Sequence, residues 1–286
     1  MILEGKDVRL SYFVEGDGAP VTLLHGFTQS GRSWREVLAK MPPGYAWIVP
    51  DLRGHGQTRM PTGAPCTMEA CTADLEMLWD HLGVQRSHLV GYSMGGRLAL
   101  HVAGRLPRRI LSLLTVGAHG GLDAGAREGR RRGDDALAGR IEKDGLEAFV
   151  NYWGSLPLFA GLQRRGPSFV AQVRSERLEN DVEGLACSLR GMGAGVMEPV
   201  WEQLASVSAP CTFVAGQLDH GYVASARRLA ATVPNGRLEI VPRSGHSVQQ
   251  ERPDAFARVL AAHLAAASAA REGSAGESPS SSSTLP

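Results

Sequence analysis

The sequence predicts an α/β fold: a mostly parallel, doubly wound sheet with a helical lid inserted into it. Three observations carry that expectation. Short apolar runs end in Gly, Pro or polar residues, amphipathic segments lie between them, and one long interval interrupts the alternation. Runs that are hydrophobic nearly throughout suit parallel strands covered on both faces. Strand–helix alternation with short connections suits a doubly wound sheet. At 286 residues the chain can bury a sizeable core.

VRLSYFVEG (8–16) alternates and reads as an early strand. VTLLHG (21–26), AWIVPD (46–51), HLVGYS (88–93), ILSLLTVGA (110–118), CTFVAG (211–216) and RLEIVPRSGH (237–246) are the remaining strand candidates. Helices are expected over 67–83, 94–106, 223–233 and 253–270. In the first, Met68, Cys71, Leu75, Leu78 and Leu82 form an apolar stripe at spacings of three and four. Gly83 and Asn235-Gly236 are sensible stops.

The long interval runs from His119 to Ser208 and holds its own helical patterns, ALAGRIEKDGLEAFVNYW (136–153) and SFVAQVRSERLEND (168–181). A structureless loop of that length is rare in a compact domain, so residues 119–208 read as a helical lid. Residues 1–118 and 209–270 then form the core. The final stretch, 271–286, is rich in Gly, Ser and Pro without apolar anchors and reads as a disordered tail.

Hydrophobic content of 43% with 21% charged residues excludes wholesale disorder. Thirty Lys+Arg against 29 Asp+Glu leave a formal charge of +1, which offers no long-range field to nucleic acid or an anionic membrane. No apolar run approaches the ~18–20 residues of a membrane span, and the N-terminus lacks a secretory pattern. Cys66, Cys71, Cys187 and Cys211 form no CxxC pair, and Cys211 reads as buried filler in a strand. No metal-ligand spacing such as HExxH occurs. The expectation is a reduced, cytoplasmic enzyme, monomer or small homo-oligomer, with no cofactor and no metal.

The chemistry is concentrated in a few turns. Gly91-Tyr92-Ser93-Met94-Gly95 is a G-x-S-x-G sequence between a strand and a helix, the context in which the serine hydroxyl projects from a sharp turn. A serine needs an imidazole neighbour to become reactive. Of nine histidines, His246 follows the last strand, where a loop can carry it to the same sheet edge. The imidazole in turn needs an acid, and Asp219 follows the CTFVAG strand. The order Ser93, Asp219, His246 completes an ordered set. Leu24-His25-Gly26-Phe27 follows a strand and offers a turn whose amide, with that of Met94, could face a developing negative charge. Asp51-Leu52-Arg53-Gly54-His55-Gly56 reads as structural.

HGF, DLRGHG, GYSMGG, GQLD and SGHSVQQERP, in that order over roughly residues 8–265, resemble the α/β-hydrolase superfamily. GYSMGGR, an Arg-rich start to the lid, WGSLPLF (153–159) and RLEN…GLACSLRGMGAG (177–195) resemble more narrowly the 2-succinyl-6-hydroxy-2,4-cyclohexadiene-1-carboxylate synthases of menaquinone biosynthesis. The resemblance implies an α/β-hydrolase fold and a lyase that eliminates pyruvate from a cyclohexene bearing several carboxylates, with the Ser-His-Asp set as a base relay. It also implies that Arg131, in R-x-x-D-D with neighbouring arginines one position away, and Arg177 bind substrate, and that Trp153 walls the pocket. Arg97, four residues beyond Ser93, lies on the same helix face and could reach a carboxylate beside the serine. Tyr92 is a candidate wall and hydrogen-bond donor.

Those residues give the expected mechanism. His246, oriented by Asp219, activates Ser93 to take a ring proton, and the amides of Phe27 and Met94 hold the charge that develops. Arg97, Arg131 and Arg177 clamp the carboxylates. Two alternatives stand beside it. One is a carboxylic-ester or carbon–carbon-bond hydrolase with Ser93 as nucleophile; the other is a non-catalytic receptor on the same scaffold.

Overall fold

The structure is a computed structural model that describes residues 1–275. Eight strands form one sheet: β1 (Ile2–Glu4), β2 (Arg9–Glu15), β3 (Ala19–Leu24), β4 (Tyr45–Pro50), β5 (Ser87–Tyr92), β6 (Ile110–Val116), β7 (Cys211–Gly216) and β8 (Gly236–Val241). Their order is β1-β2-β4-β3-β5-β6-β7-β8. β2 runs antiparallel to β1 and β4, and every later pairing is parallel. β1 is a three-residue strand too short for alternation to reveal it.

Helices cover both faces, as the apolar runs require. α1 (Arg35–Leu38), α2 (Met68–His81) and α3 (Met94–Arg105) precede the lid. The lid holds α4 (Ala124–Asp144), α5 (Leu146–Gly154), α6 (Pro167–Arg177) and α7 (Val182–Met192). α8 (Trp201–Leu204), the last helix of the 119–208 interval, packs back on the core, and α9 (His220–Thr232), α10 (Val248–Glu251) and α11 (Pro253–Ala275) follow. Side chains alternate between two cores, the signature of a period of two. Leu89 and Phe213 pack with α2, α3 and α9 through Leu75, Leu98 and Leu229. Val90 and Val214 pack with α1 and α11 through Val37, Phe256 and Leu260. Among the described residues no helix is long and apolar enough to cross a membrane.

Within the lid, Phe149 and Val150 of α5 meet Ile141 of α4 and Leu185 and Leu189 of α7. The helical pattern over 136–153 spans two helices, α4 and α5. Gly145 adopts φ 81 and turns the chain between α4 and α5, a conformation that costs a residue with a Cβ. Asp181 caps α7, its carboxylate accepting the Gly184 N–H at 2.6 Å. A correction concerns the tail. α11 continues through Ala275, so residues 271–275 are helical; Arg, Glu and Ala are good helix formers and extend it past the expected end. Residues 276–286 lie outside the described ones.

β3 is the first of the parallel strands, and the chain steps from it to β4 on one side and then across to β5 on the other. That reversal opens a crevice at the carboxyl ends of β3 and β5. His25-Gly26-Phe27 and Ser93 emerge there, and the lid covers them.

Candidate active site

The turn from β5 into α3 holds Ser93 at φ 52, ψ −110, a strained conformation for a residue with a side chain. Its neighbours explain how the turn closes. A Cβ at Gly91 would collide with the backbone of Gly95, and one at Gly95 with the carbonyl oxygens of Leu24 and His25. With only hydrogens there, α3 packs directly on β3 and β5. The Ser93 N–H donates to the Val116 carbonyl at 2.8 Å, and the hydroxyl projects into the crevice.

His246 comes from the loop after β8, and Asp219 stands at the N-cap of α9. Asp219 makes no cap bond with its side chain. Its Oδ2 instead accepts from His246 Nδ1 at 2.7 Å, while His246 Nε2 lies 2.9 Å from Ser93 Oγ. A carboxylate at Nδ1 selects the tautomer with hydrogen on that nitrogen, leaving Nε2 to accept the serine proton. The histidine loop is itself braced: Glu251 accepts the N–H groups of Gly245 and Ser247 at 2.8 and 3.2 Å. The Tyr92 hydroxyl meets Ser247 Oγ at 2.6 Å, and burial pushes its phenol well above the ordinary range, so it stays protonated. The ring of Tyr222 packs 4.5 Å from that of His246.

Above Ser93 lies a cavity of about 440 Å³, bounded by Phe27, Tyr92, Met94 and His246 on the core side and by lid residues opposite. Phe27 follows β3. Met94 opens α3, where an amide has no carbonyl partner within the helix.

Three guanidinium groups face this cavity. Arg97 is buried and donates to the Met192 carbonyl at 2.7 Å. Burial lowers it to about 10, which leaves it charged at neutral pH. Arg177 is 4% exposed, lies over the Phe159 ring at 4.8 Å, and leaves its Nε without a partner. Burial lowers its pKa also. Among the described residues neither arginine is paired with a carboxylate, so both are cations kept from water without a counter-ion.

The third is Arg130 and not Arg131. Arg131 turns outward and pairs with Glu128 at 3.0 Å, whereas Arg130 lines the cavity and bonds Asp134 at 2.8 Å. A helix advances about 100° per residue, so the inner face of α4 carries 130 and 134 together while 131 points away. Trp153 does line the cavity and also packs in the lid, with Phe149 at 5.8 Å and Phe27 at 5.3 Å. Wall and lid core are one position here.

The other histidines have different tasks. His25 Nε2 accepts the Leu52 N–H at 2.9 Å and so joins two turns. His119 is buried, and burial together with Arg97 and Arg130 pulls it down to about 3. Arg53 of the DLRGHG turn is buried and donates two hydrogen bonds to the Asp74 carboxylate, at 2.6 and 2.8 Å. Tyr222 was not singled out in the sequence, and Arg130 stood there only as a neighbour one position from Arg131. The first follows Asp219 by three residues at the start of α9; the second carries the i,i+4 spacing to Asp134. Among the described residues no group of three His, Cys, Asp or Glu side chains is arranged to hold a metal.

Comparison with known proteins agrees with this architecture. The model of the alpha/beta hydrolase fold matches residues 19–253. A Bacillus subtilis (strain 168) protein, provisionally named 2-succinyl-6-hydroxy-2,4-cyclohexadiene-1-carboxylate synthase, is 38% identical over 261 residues, 90% of this chain and 95% of its own. The solved structure of MenH from S. aureus superposes with a TM-score of 0.85 at 29% identity, covering 90% of this chain and 98% of that one. A thermophilic esterase from Thermogutta terrifontis, solved with malate bound, gives 0.80 at 27% identity over 91% and 94%. The chain belongs to the α/β-hydrolase fold family, within the group that includes the 2-succinyl-6-hydroxy-2,4-cyclohexadiene-1-carboxylate synthases.

Proposed function

We propose that the protein is a lyase of menaquinone biosynthesis. It eliminates pyruvate from 2-succinyl-5-enolpyruvyl-6-hydroxy-3-cyclohexene-1-carboxylate to give 2-succinyl-6-hydroxy-2,4-cyclohexadiene-1-carboxylate. The observation that carries the reading is the pairing of a hydrogen-bonded Ser93–His246–Asp219 series with buried arginines that lack carboxylate partners. Burying a cation is costly unless an anion joins it. A substrate with three carboxylates supplies the counter-ions that Arg97 and Arg177 lack, with Arg130, already paired with Asp134, beside them. The synthase relatives agree with that chemistry.

The substrate's structure sets the electron flow. Ser93 Oγ takes the proton from C2 as its own proton passes to His246 Nε2, and Asp219 holds the imidazolium that results. The C2–H electrons form a C2=C3 bond, the C3=C4 pair moves to C4=C5, and the C5–O bond breaks. Enolpyruvate leaves and becomes pyruvate on protonation. Charge transiently shared with the succinyl ketone oxygen is held by the amides of Phe27 and Met94. A positioned base contributes about 10²–10⁴-fold and each oxyanion donor about 10²–10³-fold, so the chain's own groups suffice.

Likeness to the esterase favours a second reading, in which Ser93 attacks an ester carbonyl and forms an acyl-enzyme. The same 2.9 Å contact would serve. Incubating the purified protein with the enolpyruvyl cyclohexene decides between them. Pyruvate release that disappears in Ser93→Ala supports the lyase; no release, with brisk turnover of simple esters, supports the hydrolase.

A further inference from the structure

α7 forms part of the cavity wall through Ser188, Leu189 and Met192, and it is seated on the core by two close approaches. A Cβ at Gly184 would press into the Gly54 backbone, and one at Gly191 would collide with the Cys66 carbonyl. Cys187 lies between these points, one turn before Gly191. Its Sγ is 3.7 Å from the carbonyl oxygen of Ala64, two residues before Cys66. The Cys66 Sγ meets Met60 Sδ at 3.6 Å, and the Cys66 and Cys187 thiols lie near enough for each to shift the other's pKa. Cys66 is buried, whereas Cys187 is partly open to solvent.

The electrostatics favour chemistry at Cys187. The neighbouring Cys66 thiol, helped by Arg190 and Arg53, lowers the Cys187 pKa to about 6. The same contact and burial push Cys66 up. Cys71, the other sulfur nearby, is fully buried against Met192 Sδ at 3.4 Å and is pushed up to about 12 by burial. A reactive cysteine is one with thiolate character and access; here only Cys187 combines them, with a second thiol beside it.

We propose that Cys66 and Cys187 form a reversible dithiol–disulfide pair that latches lid helix α7 to the core loop ahead of α2. The oxidant is a peroxide. The Cys187 thiolate attacks one peroxide oxygen, the O–O bond breaks, and Cys187 becomes a sulfenic acid. Cys66 then attacks that sulfur, its thiol proton leaving with the hydroxyl as water. With hydrogen peroxide, two thiols and one peroxide give one disulfide and two waters, a two-electron oxidation. A small thiol reverses it by exchange. Because the Met192 carbonyl anchors Arg97, the latch ties a wall of the pocket to the core.

The test exposes the full chain to hydrogen peroxide, maps its peptides by mass spectrometry and follows hydrogen exchange. The expected product joins the Cys66 and Cys187 peptides, two hydrogens lighter, and reverts with dithiothreitol. It forms in Cys71→Ser and is lost in Cys187→Ser. Exchange across residues 182–192 slows by about tenfold in the oxidised protein, as expected when local opening is blocked. Sulfinic or sulfonic acid on Cys187 without a cross-link, a bridge to Cys71 instead, or unchanged exchange would each overturn the proposal. Wild-type mapping does not depend on how any variant folds.

Discussion

The imidazole of His246 reaches the hydroxyl of Ser93 at 2.9 Å, although 153 positions separate the two in the chain. Both side chains sit at turns braced from outside the contact: Ser93 by the glycine-packed elbow, His246 by Glu251 and Asp219. Removing either functional group should therefore disable chemistry while leaving the fold. Ser93→Ala and His246→Ala should each lower kcat by about 10³-fold or more, with thermal midpoints close to wild type. Steady-state kinetics beside a melting curve check this.

The two neighbouring arginines of α4 should separate cleanly. Arg130→Ala removes a guanidinium that lines the cavity, and KM for the carboxylated cyclohexene should rise by about tenfold or more, as for a lost charge-assisted contact. Arg131→Ala breaks exposed pairs with Glu128 and Asp135, and such pairs contribute little, so kinetics should match wild type. Equal effects from both variants would mean that the inner face of α4 is assigned wrongly.

Arg53 makes a stability prediction. It is 3% exposed and bonds Asp74 within the core and Asp7 at its edge. Replacing it with alanine strands the buried Asp74 carboxylate, which should cost about 3–5 kcal/mol. Urea unfolding would show a lower midpoint. Double replacement of Arg53 and Asp74 by apolar residues should recover much of the loss, because the stranded charge is gone.

Acid should weaken the fold through its buried histidines. Burial lowers His25 to about 4, and His55, His119 and His263 to about 3, from an ordinary 6.5. Between those values the unfolded chain binds protons that the folded chain refuses. The contribution is fully present above pH 6.5 and is lost as pH falls toward 4 and 3, at up to about 1.4 kcal/mol per site per pH unit. Urea midpoints at pH 7.5, 6 and 5 should decline in that order; a midpoint that rises on acidification would contradict the assignment.

Six of the eight strands were legible as short apolar runs, because a parallel sheet covered on both faces writes its positions as near-continuous hydrophobicity, and β2 was legible by its alternation. β1 was not, since three residues at an edge carry no pattern. The Ser93, Asp219 and His246 turns were readable because each follows a strand end, and topology brings strand ends to one edge. The lid was harder. Gly145 divides one helical pattern into two helices, and in a run of Arg130, Arg131 and Arg132 only the packed rotation of α4 decides which one faces inward. Cys66 and Cys187 stand 121 residues apart, and no local feature announces that α7 lays one beside the other.

One measurement bears on the central claim most directly: the ratio of conjugated diene to pyruvate when the purified protein turns over the enolpyruvyl cyclohexene. Elimination by the Ser93–His246–Asp219 relay makes both products together, so absorbance of the diene and pyruvate should grow in equal amounts and vanish together in Ser93→Ala. Pyruvate appearing without diene, or either product persisting in Ser93→Ala, would contradict the account.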